Sequence, residues 1–220
     1  MKNSIHFFGD SFTEGHALHR TEYVWPILVC KALKNYKCKN HGEGAASPLT
    51  ILKKIINQLG NIKPGDIVIV FETIPDRIEI YSPQTKKIIS LTNAELVQAI
   101  ENKHHKSFDS YNDITSAFNF VYDHRFKRLG NFEKYFRDIY NDLGTYLTSI
   151  GTRFILLPFH LSFGNIKDGS RFETVTKQTN GKYRDDHFST KGHWQFANYV
   201  LENNFKDYQE LKEPTEKLLI

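Results

Sequence analysis

The chain is poor in sulfur-bearing residues and in long apolar runs. Of its 220 residues two are cysteine and one is methionine. Cys30 and Cys38 form neither a Cys-x-x-Cys pair nor a zinc-ligand spacing, so a disulfide framework is excluded and buried free thiols are expected. No apolar run approaches the roughly 18 residues needed to cross a bilayer. The first apolar stretch, residues 5–8, is too short for a secretory signal, so the expected compartment is the cytoplasm. Neither Gly-x-x-x-x-Gly-Lys-Ser/Thr nor Gly-x-Gly-x-x-Gly occurs, which removes motif support for nucleotide binding. The excess of one charge sign is small: Lys and Arg number 29 against 25 Asp and Glu, a formal charge of +4. The lysines are spread without a dense basic stripe, so no nucleic-acid partner is implied. Internal repeats, low-complexity tracts and linker-like boundaries are also lacking.

What remains is an ordinary globular balance, 40% hydrophobic and 25% charged, in a chain long enough to bury a sizeable core as one domain. Short apolar runs alternate with amphipathic ones. Strands are expected at 5–8, 36–40, 67–71 and 153–157. Helices are expected at 22–33, 48–59, 94–100, 114–129, 131–150 and 190–203. Ile67-Val68-Ile69-Val70-Phe71 is β-branched without polar alternation, which suits a strand buried on both faces. Leu49, Leu52, Ile55, Ile56 and Leu59 recur at helical spacing. Residues 160–181 read as an irregular loop, and 205–220 as a tail with a short helix. Strands separated by helices predict an α/β fold with a parallel sheet and helices on both faces. The expected domain spans 1–204, with about 77–130 as an insertion or cap and 205–220 as the tail.

In such sheets, functional groups gather beyond the carboxyl ends of the strands. Gly9-Asp10-Ser11 follows the first strand in a turn that can hold a serine hydroxyl in the open. Serine is a weak nucleophile until a base activates it. The far end of the chain supplies one in Asp185-Asp186-His187-Phe188-Ser189-Thr190-Lys191-Gly192-His193, just before the last helix.

These residues resemble the SGNH (GDSL) hydrolase superfamily. Gly9-Asp10-Ser11 with Phe12-Thr13-Glu14-Gly15 looks like its first block. Asn40-His41-Gly42-Glu43-Gly44-Ala45-Ala46-Ser47 looks like its second. Residues 185–193 look like its last, in which the catalytic histidine lies five residues before a glycine, as His187 does before Gly192. The resemblance spans nearly the whole chain. It implies a three-layer α/β/α sandwich with a flavodoxin-like parallel sheet, and hydrolysis of O-acyl esters without metal or organic cofactor. Ser11 would attack the acyl carbon, His187 would take its proton, and Asp185 would hold the imidazole. The oxyanion would meet the backbone N–H groups of Ser11 and of Gly44 or Ala45, with a side chain from a third block. The implied substrate is a small-molecule or glycan ester, most often O-acetyl and on a carbohydrate. Glycan O-acetyl transfer by the same triad is an alternative, as is a weakened scaffold that binds or assembles glycans. The oligomeric state is not legible.

The chain departs from the family's pattern in three places. Arg184 stands three residues before His187, where the aspartate is common; Asp185, two before, is preferred to Asp186, because adjacent side chains on an extended segment point apart. The third block lacks its asparagine, and Thr73 stands at or beside its place, with Glu72 before it. An ionised Glu72 cannot donate a hydrogen bond, whereas the Thr73 hydroxyl can. Ala45 stands where glycine is usual. Asp10, Arg77 and His41 are candidates for touching substrate, with a surface ion pair as the alternative for Arg77 and Glu79. His16 with His19, and His104 with His105, lack further partners at ligand spacing, so no metal site is expected. His193 reads as a core residue. Tyr111, Phe118, Phe120, Tyr122, His124 and Arg125 read as helix-packing groups rather than a cleft lining.

Overall fold

The structure is a computed structural model and describes residues 2–16, 18, 23–75, 77–82, 86–103, 108, 110, 112–116, 132–163, 172–173 and 187–214. Four strands make a parallel sheet: β1 (Ser4–Phe8), β2 (Lys37–Asn40), β3 (Ile67–Phe71) and, after a separate hairpin β4 (Ile78–Ser82) and β5 (Lys87–Leu91), β6 (Arg153–Leu157). Their order is β2-β1-β3-β6, the flavodoxin-like winding in which the chain reverses direction across the sheet between β1 and β3. β1 and β3 are buried at every position; the apolar run of β3 predicts this, whereas β1 buries the polar Ser4 and His6 as well. β2 is one edge of the described sheet, and Lys37 and Lys39 on it are charges that discourage edge-to-edge pairing.

The period-two geometry of the strands splits the core into two layers. Ile5, Phe7, Ile67, Ile69, Phe71, Ile155 and Leu157 face α2 (Trp25–Ala32) and the last helix, here α6 (Thr190–Asn204). Phe8, Val68 and Val70 face α3 (Pro48–Gln58) and α5 (Phe132–Ser149). The expected α/β/α sandwich is therefore present. Helix limits follow local chemistry. α2 begins at Trp25 rather than at 22, because Pro26 is at home only in a first turn. Ser47 caps α3 by accepting from the Thr50 N–H, with Pro48 following. Thr92 and Glu95 form a reciprocal capping box on α4 (Asn93–Glu101).

Three features differ from the sequence-based expectation. The hairpin β4–β5 occupies a stretch for which no strand is expected; with α4 it carries a separate apolar cluster of Leu91, Leu96, Ala99, Phe108 and Ile114. Residues 159–163 form a short 3₁₀ turn rather than irregular loop. Residues 205–214 hold no helix; they lie against the core, where Trp194 Nε1 donates to the Leu211 carbonyl at 3.1 Å and the Gln209 N–H to the Ala32 carbonyl at 3.1 Å. These tertiary bonds satisfy the backbone that a helix would have satisfied locally. Residues 112–116 are helical, and the rest of the helix expected at 114–129 lies outside the described residues. Among the described residues, no helix is long and apolar enough to cross a membrane.

Candidate active site

The reversal between β1 and β3 puts the ends of both strands beside one crevice. Ser11 leaves β1 after two residues and is the first residue of a one-turn helix, α1 (Ser11–Glu14). Asp10 caps that turn, its Oδ1 accepting the Phe12 N–H at 3.1 Å. Gly9 lets the strand enter the turn: a Cβ there would lie 2.1 Å from Thr13 Oγ1 and 3.2 Å from the Phe71 carbonyl. Gly15 ends the turn in the left-handed region, φ 95°. Ser11 is 7% exposed, so its hydroxyl is not in the open as a bare turn would leave it; the last block of the chain covers it.

That cover is His187, whose Nε2 lies 2.7 Å from Ser11 Oγ. With the neutral imidazole's proton on Nδ1, the serine hydroxyl donates to Nε2. The ring is held by Phe12, centroids 4.9 Å apart, and by His16, 4.7 Å apart. Phe188 fixes the backbone next to it, fully buried among Phe12, Phe172 and Phe196. Ser189 caps α6 by accepting the Gly192 N–H at 3.0 Å, while its own N–H donates to the Glu173 carbonyl at 2.9 Å. The glycine five residues after the histidine has a steric reason. A Cβ on Gly192 would stand 1.9 Å from that same Glu173 carbonyl oxygen. Asp185 and Asp186, the expected orienting acid and its neighbour, lie outside the described residues, as do His19, His104, His105, Tyr111, Phe118, Phe120, Tyr122, His124 and Arg125.

The second block forms the loop beside Ser11. The Glu43 N–H donates to the Gly9 carbonyl at 3.2 Å, and the His41 N–H to the Phe7 carbonyl at 2.8 Å. Asn40 locks the loop to α1. Its Nδ2 donates to the Thr13 carbonyl at 2.8 Å and its Oδ1 accepts the Gly42 N–H at 3.0 Å. This role for Asn40 was not anticipated; the asparagine at a strand end before Gly42 is the sequence signal that carries it. Gly42 is required because a Cβ would meet the Glu14 backbone N at 2.3 Å. Ala45 takes the left-handed conformation, φ 58°, the geometry that explains why glycine is usual there. The Ser11, Gly44 and Ala45 N–H groups have no hydrogen-bond acceptor among the described residues.

The expectations for three polar residues need correction. Thr73 is 4% exposed, and its hydroxyl donates to Asp10 Oδ2 at 2.6 Å, so its single proton is committed away from an oxyanion. Asp10 is 4% exposed and is a helix cap rather than a substrate contact. Burial raises its pKa, opposed by the Thr73 hydroxyl, the Phe12 N–H and the charge of Arg77. His41 stacks on Phe8 at 4.6 Å and 12°, with Nε2 3.3 Å from Nδ1 of buried His6, so it roofs the sheet edge instead of facing substrate. Glu79 takes the bland role. It accepts from Ser47 at 2.9 Å, from Thr50, and from Lys53 at 2.7 Å, which ties the hairpin to the start of α3. Burial works against ionisation of Glu79, but the Lys53 ammonium and the two hydroxyls outweigh it and lower its pKa. Arg77 is no surface ion pair: its side chain is 15% exposed, with Nη1 3.9 Å from Asp10 Oδ2. Glu72 binds Arg137 at 3.3 Å. His193 is fully buried, accepting the Trp25 N–H at 3.3 Å, and burial lowers its pKa to about 3. Among the described residues no cluster of three or more metal-ligating side chains occurs.

The chain is similar in structure to SGNH (GDSL) hydrolases. A lipolytic protein of the G-D-S-L family from Veillonella parvula DSM 2008 shares 13% identity over 90% of this chain and 96% of its own, with a TM-score of 0.42. A putative lipolytic protein of the same family from Desulfitobacterium hafniense DCB-2 shares 15% over 91% and 98%, TM-score 0.41. The acetyl xylan esterase AlAXEase shares 13% over 92% and 100%, TM-score 0.40. No protein-family profile matches the chain, and no curated protein matches it.

Proposed function

We propose that this protein is a serine ester hydrolase of SGNH type, acting through an acyl-enzyme on Ser11. The observation that carries the reading is the 2.7 Å approach of His187 Nε2 to Ser11 Oγ, across 176 residues of sequence. Two common residues meet at hydrogen-bond distance at the switch point of an α/β sheet, where ligands of such folds bind. The same approach disfavours a scaffold that only binds.

The chemistry follows from the groups in place. His187 takes the hydroxyl proton as Ser11 Oγ bonds to the acyl carbon, and the carbonyl electrons move onto oxygen. The Ser11 N–H and the Gly44 or Ala45 N–H are the backbone donors for that charge. Collapse breaks the ester C–O bond, and His187 returns the proton to the leaving alcohol. Water then repeats the sequence against the acyl-enzyme and releases the acid. Asp185 is the proposed acid that orients the imidazole. The proposed substrate is an O-acyl ester with a small acyl group, acetyl on a carbohydrate, on the strength of the sequence blocks.

The test is hydrolysis of p-nitrophenyl acetate together with labelling by a fluorophosphonate probe. Wild type is expected to hydrolyse the ester and to carry the probe on Ser11, while Ser11→Ala keeps the fold and loses activity by orders of magnitude. Equal rates for the two proteins, with Ser11 unlabelled, overturn the proposal.

A further inference from the structure

One buried cation, paired with Asp10 only at 3.9 Å, has two nitrogens without a hydrogen-bond acceptor. Arg77 lies in the segment that follows β3, its N–H bonded to the Ile74 carbonyl at 3.1 Å. Its root is fixed from the other side. β4 begins at the next residue, and Glu79 binds that strand to Ser47, Thr50 and Lys53 at the start of α3. The side chain extends toward Asp10. Its Nε and Nη1 are buried and hydrogen-bonded to nothing. The nearest carboxylate oxygen, Asp10 Oδ2, is 3.9 Å from Nη1, beyond hydrogen-bond range, and already accepts from Thr73. A guanidinium cannot escape by losing its proton. Asp10 offsets its charge from 3.9 Å, but buried N–H groups without acceptors are costly, so they point to an acceptor that arrives from outside the chain.

The place of that acceptor follows from what Thr73 does. The third-block position that would present a side-chain amide to the oxyanion presents a hydroxyl committed to Asp10. Arg77 comes from the same segment, four residues on, and reaches the carboxylate of the residue immediately before Ser11. We infer that Arg77 is a catalytic residue: its unpartnered guanidinium N–H groups donate to the oxyanion that forms at the ester carbonyl when Ser11 attacks. The inference rests on the serine-hydrolase reading. It adds to that reading a charged donor where a neutral amide is the expected one. Charge strengthens the interaction with a developing negative oxygen and leaves the ground-state ester, which is neutral, little affected.

The experiment compares wild type, Arg77→Met and Arg77→Lys in p-nitrophenyl acetate hydrolysis and in the rate of Ser11 phosphonylation, with urea midpoints measured on the same samples. Loss of one oxyanion donor lowers kcat by about 100-fold or more. Arg77→Met is expected to show that loss in kcat with KM changed little, and to phosphonylate slowly to match. Arg77→Lys keeps the charge and is expected to recover part of kcat, and added ethylguanidinium to restore part of it to Arg77→Met. A urea midpoint at or above that of wild type accords with removal of buried N–H groups that lack acceptors. Wild-type kcat in both variants overturns the inference and leaves the hydrolase reading standing. So does a change confined to KM, which would place the guanidinium on a ground-state group. An inactive, unlabelled wild type overturns both.

Discussion

Thr73→Val separates a structural from a catalytic role at the position where the oxyanion amide would stand. Valine keeps the shape and removes the hydroxyl that donates to Asp10 Oδ2 at 2.6 Å. Both residues are 4% exposed, so water does not readily replace the lost donor. A hydrogen bond to a charged group contributes about 1.5–3 kcal/mol. The carboxylate left behind retains the Phe12 N–H on Oδ1 and only the distant Nη1 of Arg77 on Oδ2. The expected destabilisation is therefore about 1.5–3 kcal/mol, seen in urea unfolding at pH 7 with an unchanged m-value. In a domain of this size that corresponds to a melting point lower by about 3–12 °C. Asp10→Asn should absorb most of the effect, so the double variant is expected to be less destabilised than the sum of the singles. If Thr73 instead faced the oxyanion, Thr73→Val would lose about 100-fold in kcat with stability unchanged. That pair of results would refute the assignment of its proton to Asp10.

Further outcomes follow from the packing around the site. Gly192→Ala forces a Cβ against the Glu173 carbonyl, 1.9 Å away, in the strap that seats His187. It should cost about 1–3 kcal/mol and lower kcat/KM for a nitrophenyl ester more than tenfold; a variant unchanged in both refutes the steric account of this glycine. Acid should weaken the fold through two buried histidines. Burial, with Lys39 and His41 adding and Asp66 opposing, lowers His6 to about 4, and burial with His187 lowers His193 to about 3. Both are neutral in the fold, whereas the unfolded chain takes up their protons near pH 6.5. Their contribution is whole above about pH 6.5 and is lost as pH falls toward 4 and 3. The slope is about 1.4 kcal/mol per pH unit per histidine. His193→Asn, which keeps an acceptor for the Trp25 N–H, should flatten the urea-derived stability profile between pH 6 and 4 by about one histidine's worth; an unaltered slope counts against a neutral buried His193.

The sheet was legible because burial writes itself into composition. A strand covered on both faces has no room for polar alternation, so Ile67-Val68-Ile69-Val70-Phe71 announces both its limits and its central place. The two glycines that flank the candidate site have a steric reason: Gly9 and Gly192 stand where a Cβ has no space. The hairpin was not legible. Ile78-Glu79-Ile80-Tyr81-Ser82 does alternate, but a two-stranded ribbon outside the main sheet is set by what it docks on. The Glu79 anchor to Ser47, Thr50 and Lys53 joins segments about thirty residues apart. The tail was misread as helical because its backbone partners, Ala32 and the Trp194 indole, belong to distant elements.

Side-chain direction explains why the third block was read wrongly in one particular way. Sequence can say that Thr73 owns a donor; it cannot say which acceptor claims it. A threonine hydroxyl has one proton, and the nearest strong acceptor is the carboxylate that caps the serine's own helical turn. Once Asp10 takes that proton, Thr73 braces the turn and has none left for a tetrahedral intermediate. Asp10 thereby joins the ends of β1 and β3 through the Thr73 bond while drawing Arg77 toward the same spot by charge. The substitution of threonine for an amide and the burial of an arginine four residues later are then two parts of one arrangement. The first moves a neutral donor from the reacting oxygen to the scaffold, and the second brings a charged donor to the vacated side. An amide restored at 73 without removing Arg77 would place two donors in one space, so Thr73→Asn should gain little rate by itself, and more in the background of Arg77→Met.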